Sequence, residues 1–269
     1  MVSSISMIFM VVSLLISFAL PIGLCIWFHK VKHADLMPFF IGCAVMILFA
    51  FILEQLAHHL ILSSAVGEKI RGTSWLYALY GGIMAGVFEE SGRLLAFRTV
   101  LRRKRSKNVN SLMYGAGHGG IEAVIILGIT SVNNLIYSIL INTGNTAVLT
   151  GSLSGDVRMQ VEQAVQALIG TPPWQFLMGG VERIFAVILQ IALSVLVWFA
   201  AKDRRVRILF PAAICIHFFV DALTVMLSQS GVSVLVIEGV VGVLAAAAAA
   251  FAYIIYRKEN TVPVSANKL

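Results

Sequence analysis

Charge is scarce in this 269-residue chain: Asp, Glu, Lys and Arg make up only 12% of it, about half the share a water-facing globule carries. Hydrophobic residues make up 59% and the mean hydropathy is +0.90, which leaves too little polar surface for a soluble domain. The chain reads as an integral membrane protein, and its length suits one helical bundle. Cysteine is equally sparse. Cys25, Cys43 and Cys215 lie inside apolar runs with no paired or metal-type spacing, so they read as small buried hydrophobes. Basic residues are not interleaved with aromatic ones as stacking on bases requires, and nucleic acid is excluded as a partner despite a net charge of +7. No internal repeat is found. Met1 to Met10 lack the basic region of a cleaved signal peptide, so the first apolar run is expected to be a retained helix.

What is present is a series of long apolar runs. A spanning helix needs about 20 apolar residues, and the sequence predicts an all-α, polytopic bundle of about seven spans. These fall at 5–28, 36–62, 74–101, 111–141, 174–201, 208–229 and 232–256 of a single bundle covering 1–256, followed by a short polar cytoplasmic tail at 257–269. Segments after the odd-numbered spans hold fourteen Lys and Arg, among them Arg102, Arg103, Lys104, Arg105 and Lys107. The other side holds Lys69, Arg71 and Arg158. That asymmetry places the N-terminus outside and the C-terminus in the cytoplasm. All four tryptophans (Trp27, Trp75, Trp174 and Trp198) fall near span ends, as an interfacial belt requires. The outer-face segment 142–173 carries Val157, Val161, Val165 and Leu168 at helical spacing, the pattern of either a surface amphipathic helix or a loop packed on the bundle.

Ionisable residues inside spans are costly, at roughly 2.5–3.5 kcal/mol each on insertion scales, and are functional candidates by default. Measured from the cytoplasmic end, Glu89 and Glu90 lie about 17–18 Å deep, His118 about 11 Å, Glu122 about 17 Å, His217 about 14 Å and Asp221 about 20 Å. Three helices thus converge on one slab. Glu89 with Arg93, His118 with Glu122, and His217 with Asp221 are each four residues apart, so each helix presents a polar pair on one face. Gly82 with Gly86 and Gly115 with Gly119 have the small-xxx-small spacing that lets helices approach. A second group, Glu54, Glu182, Arg183 and Glu238 with His58 and His59, lies further out, where Arg183 with Glu54 or Glu238 makes a sensible structural lock.

Two glutamates and two histidines around one cavity suit activation of water. A buried carboxylate serves as general base, while histidines can hold Zn²⁺, hold the water or donate to an oxyanion. The zincin motif H-E-x-x-H is absent, and so is a serine nucleophile elbow.

The runs F-E-E-S-G-R at 88–93, Y-G-A-G-H at 114–118 and H-F-F-V-D at 217–221 resemble the three motifs of a membrane-protease superfamily. That superfamily includes the type II CAAX prenyl endopeptidases (the ABI family), the PrsW proteases and the YhfC-type membrane proteases. With H-G-G-I-E at 118–122, the chain most resembles the YhfC type. The resemblance implies an intramembrane peptidase of a prokaryotic plasma membrane, acting on a membrane protein or lipidated peptide. It implies Glu89 as water-activating base, His118 as its partner, and His217 and Asp221 as water, metal or oxyanion groups. Glu90 and Arg93 would support them, and Glu122 would orient His118. The cofactor is then either none or zinc, with His118 and His217 as candidate ligands. Only two residues separate Glu90 from Arg93, where the prenyl endopeptidases have three, so a CAAX substrate does not carry over. Two other readings stand beside the enzyme: a proton- or ion-coupled transporter, since Glu, Asp and His also relay protons, and a non-catalytic scaffold of the same fold.

Overall fold

The computed structural model describes residues 1–261, and among these every regular element is helical. Ten helices follow in chain order: α1 (Ser4–Lys30), α2 (Met37–Leu62), α3 (Ala65–Arg71), α4 (Ser74–Arg98), α5 (Asn110–Asn142), α6 (Ala147–Thr150), α7 (Gly155–Gly170), α8 (Pro173–Lys202), α9 (Leu209–Gln229) and α10 (Val234–Thr261). Six of them are long and apolar enough to cross a membrane. The seventh long helix, α4, has 25 residues, about 38 Å at 1.5 Å per residue. It is long enough to span but carries Glu89, Glu90, Arg93 and Arg98. The least apolar long helix is therefore the one that carries Glu89, Glu90 and Arg93.

Burial is distributed as lipid requires. Leu60 is 73% exposed and Val243 69%, whereas Glu90, Arg93 and His118 are at 0%. In water that arrangement would be unstable; in hydrocarbon the apolar outside costs nothing and polar groups are driven inward.

Two compact units divide the chain. The first holds Met1–Leu20 and Ala123–Ile184. There, Val2, Met10, Ile141 and Leu168 form a small core, and Asn142 is tied to the Val2 backbone in both directions at 2.8 and 2.9 Å. The segment 142–173 contains α6 and the 16-residue α7. Val165 and Leu168 of α7 turn into this core while Val157 stays exposed.

The second unit holds Pro21–Glu122 and Phe185–Leu269. Its core centres on α8, where Leu193, Leu196, Val197 and Trp198 are fully buried. Trp198 therefore departs from the interfacial belt expected of it. Its ring packs edge-on against Phe97 at 4.9 Å, so it faces the protein interior although it lies four residues from the end of α8. Trp27, Trp75 and Trp174 are exposed. α10 continues into the expected tail, through Arg257, Lys258 and Glu259 to Thr261. These are good helix formers, and the expected polar tail beyond them, 262–269, lies outside the described residues.

Close glycine contacts set the helix spacing in this unit. A Cβ on Gly82 would stand 2.6 Å from the Phe218 carbonyl oxygen, and one on Gly86 2.9 Å from that of Ile214. α4 and α9 thus run antiparallel with their backbones nearly touching. A Cβ on Gly115 would stand 2.5 Å from the Ile191 Cα, and one on Gly119 2.8 Å from the Gln190 Cβ. Both small-xxx-small pairs therefore bring a helix close to its neighbour. Two helices contain π-helical turns, Ile47–Glu54 in α2 and Val124–Gly128 in α5.

Candidate active site

α4, α5, α8 and α9 each bring polar side chains to one point of the second unit. Gly82 and Gly86 let α9 approach α4, which carries His217 to the glutamates. Gly115 and Gly119 do the same for α8 and α5.

Glu89 sits at the centre. Its Oε2 accepts from His118 Nε2 at 3.0 Å, from Gln190 Nε2 at 3.1 Å and from Arg93 Nη2 at 3.3 Å. Its other oxygen, Oε1, faces His217 Nε2 at 3.9 Å, beyond direct hydrogen-bond reach. Glu90 is placed differently. It is fully buried, accepts from Arg93, and accepts from His217 Nδ1 at 2.7 Å. That bond fixes the His217 ring and turns Nε2 towards Glu89 and towards Asp221 Oδ2, 3.5 Å away. Arg93 donates to both glutamates and to the Gln190 side-chain oxygen. Its guanidinium fork is what allows two carboxylates to be buried side by side.

Of the residues singled out in the sequence, Glu89, Glu90, Arg93, His118, His217 and Asp221 meet directly. Glu122 joins through Gln190, whose Nε2 donates to Glu122 Oε2 at 2.7 Å. Arg183 belongs to the first unit and pairs there with Glu182. Glu54 pairs with His58 at 3.2 Å.

Gln190 was not legible as a site residue. It is the only carboxamide between residues 184 and 201 of α8, and a lone neutral amide in an apolar run was the signal available. Tyr114 is the other addition: its ring stacks on that of His118 with centroids 5.7 Å apart. Tyr114 Oη, His118 Nδ1, Glu90 Oε2 and Arg93 Nε are buried without a hydrogen-bond partner among the described residues. Each such atom costs about 1–3 kcal/mol, so this cluster is retained at the expense of stability.

A helical membrane protein with a buried carboxylate–histidine–arginine centre is the class that fold and site define. The chain belongs to the YhfC intramembrane metalloprotease family, whose match covers residues 16–242. It is 39% identical over 207 residues to the Bacillus subtilis (strain 168) protein described as "Uncharacterized membrane protein YhfC", covering 76% of this chain and 79% of that relative. No solved structure matches it.

The family description raises the question of a metal. Imidazole and carboxylate are donors that zinc accepts. Among the described residues, however, no three His, Cys, Asp or Glu side chains form a ligand set. Glu89 Oε2 and His118 Nε2 face each other in a hydrogen bond. As arranged, the residues do not fit a bound metal, and no step below is routed through one.

Proposed function

We propose that this chain is an intramembrane peptidase in which Glu89 activates the water that attacks a peptide bond of a membrane-anchored or membrane-adjacent substrate. The observation that carries this reading is the 3.9 Å gap between Glu89 Oε1 and His217 Nε2. With Oε2 accepting from three donors, Oε1 is the oxygen left to take a proton, and a water seated beside Oε1 and His217 Nε2 would touch both groups.

In this reading Glu89 Oε1 takes a proton from water as the water oxygen bonds to the scissile carbonyl carbon. The charge that develops on the carbonyl oxygen is met by a proton donor, for which His217 Nε2 is positioned, its ring held by Glu90. Glu89 then delivers the same proton to the departing nitrogen as the C–N bond breaks. His118, Gln190 and Arg93 hold the carboxylate in place, and Glu90 acts as the counter-charge of Arg93. The order Glu-Glu-x-x-Arg, His, His-x-x-x-Asp supports grouping this family with the prenyl endopeptidases and PrsW. The charge asymmetry of the connecting segments supports an outside N-terminus and a cytoplasmic C-terminus, which a C-terminal reporter checks.

The experiment is comparative proteomics of membrane fractions from cells carrying the natural chain or Glu89→Gln, the amide keeping volume while removing the proton acceptor. Fragments that accumulate only with the natural chain identify the substrate. Identical fragment patterns remove Glu89 from the chemistry and leave the transporter or scaffold reading. Metal analysis of the purified protein, run beside it, tests the metalloprotease description for this chain.

A further inference from the structure

We propose that Glu54 and His58, with Asp221, line the route by which water reaches the site from the side of the Ser63–Thr73 connection. This rests on the peptidase reading: each hydrolysis adds one water, its hydroxyl to the acyl carbon and its remaining hydrogen to the nitrogen, and that water must be replaced through hydrocarbon.

Depth orders the polar groups. On α4, Glu89 lies fifteen residues from Ser74, about 22 Å from that helix end. On α2, Glu54 lies eight residues from Leu62 and His58 four, about 12 Å and 6 Å from the same connection. α9 runs antiparallel to α4, so Asp221, eight residues from Gln229, stands about 12 Å from the helix end on that side. Ionisable groups therefore occur at successive levels from the site to a connection bearing Glu68, Lys69 and Arg71. On α4 and α2 side-chain accessibility rises outward, from Glu89 at 7% through Glu54 at 8% to His58 at 22%, while Asp221, level with Glu54, is at 36%.

Glu54 bonds His58 Nε2 at 3.2 Å, and Tyr80 of α4 holds His58 Nδ1 at 2.8 Å. Glu54 also lies within electrostatic reach of Glu89, His217 and Asp221. The carboxylate closes the π-helical turn Ile47–Glu54, a distortion that recurs at functional sites because it re-aims side chains. Neither Glu54 nor His58 has a role in the proposed chemistry. Polar side chains at intramembrane depth mark the passages where water can pass.

The test uses the full-length protein in nanodiscs with a fluorogenic peptide built on the cleavage sequence found by proteomics. Beside it, pulsed hydroxyl-radical labelling reads water near His217 without requiring turnover. Glu54→Leu should lower kcat about tenfold with KM kept, and lower His217 oxidation in parallel. Glu54→Gln, which can still bind water, should retain both. Should Glu54→Leu fail to fold, His58→Leu carries the same two expectations. Unchanged kcat and labelling in the leucine variants overturn the route, as does a Glu54→Gln variant that falls as far as Glu54→Leu. Absence of cleavage by the natural chain would instead defeat the peptidase reading, and the labelling would still decide the route.

Discussion

Two ion-pair networks in the second unit show how location changes what a charge is for. At the connection between α1 and α2, Asp35 takes Lys107 at 2.9 Å, Lys104 at 3.1 Å and the Asn110 amide at 3.2 Å. Lys107 first, then Lys104 and Asn110, holds its carboxyl at about 2, against an ordinary 3.8. Both lysines are substantially exposed, so water can replace either partner, and the network is worth little. The Glu89–Glu90–Arg93 group has the same chemical types but is buried among the helices. Loss of one partner there leaves a buried uncompensated charge. The first network is a fastening and the second is a site whose stability cost is tolerated.

Glu89→Gln should give the largest effect. Loss of a general base costs about 10²–10⁴-fold in turnover, while the folded yield in detergent stays at the natural level, because a neutral amide is cheaper to bury than a charge. A matching loss of folded protein would erase the distinction between site and fastening.

Arg93→Ala comes next, and it should fail in stability. Leaving Glu89 and Glu90 buried without their shared cation costs about 3–5 kcal/mol, read as a lowered midpoint in a membrane-protein thermal-shift assay. A melting midpoint equal to that of the natural chain would show that the two carboxylates are not held by Arg93.

Gln190→Leu should be intermediate. It removes the bridge from Glu89 to Glu122 and one hydrogen bond to each, at about 1–3 kcal/mol, with a fall in kcat because Glu89 loses one of three groups that position it. Restoration of kcat by Gln190→Asn would argue that any amide suffices; no fall with leucine would remove Gln190 from the support of the base.

Asp35→Asn should be the smallest, about 0–1 kcal/mol. Its carboxyl is lowered in the folded state, so its contribution is present above the unfolded value of 3.8. It is lost as pH falls from there through about 2. A stability difference between Asp35→Asn and the natural chain that persists below that window would show the tie is not electrostatic.

Much of the fold was legible because hydrophobic length is a strong signal in lipid. The run 174–201 appears as Pro173–Lys202 and the run 36–62 as Met37–Leu62, since a single segment can satisfy its own backbone groups in hydrocarbon only as a helix. Glu89, His118 and His217 were legible because their burial is costly enough to mark them. Gln190 and Tyr114 were not, since neutral polar side chains in a span carry a small penalty and have many structural uses. The buried position of Trp198 was equally hidden, because a tryptophan near a span end reads as interfacial until its packing partner, Phe97, is known.

The sequence by itself determined that this chain lives in a membrane, where its helices run, and which ionisable residues share one depth. Composition and the 1.5 Å rise of a helix suffice for all three. Only the tertiary structure decided how those residues divide their work. It brought Gln190 of α8 between Glu89 and Glu122, gave Glu90 to His217, and left one oxygen of Glu89 facing an imidazole nitrogen across 3.9 Å. Depth along a helix is a one-dimensional quantity that the chain carries in its order. Which side chain bonds which depends on helix rotation and on close approach at Gly82, Gly86, Gly115 and Gly119, and these arise only when the helices pack.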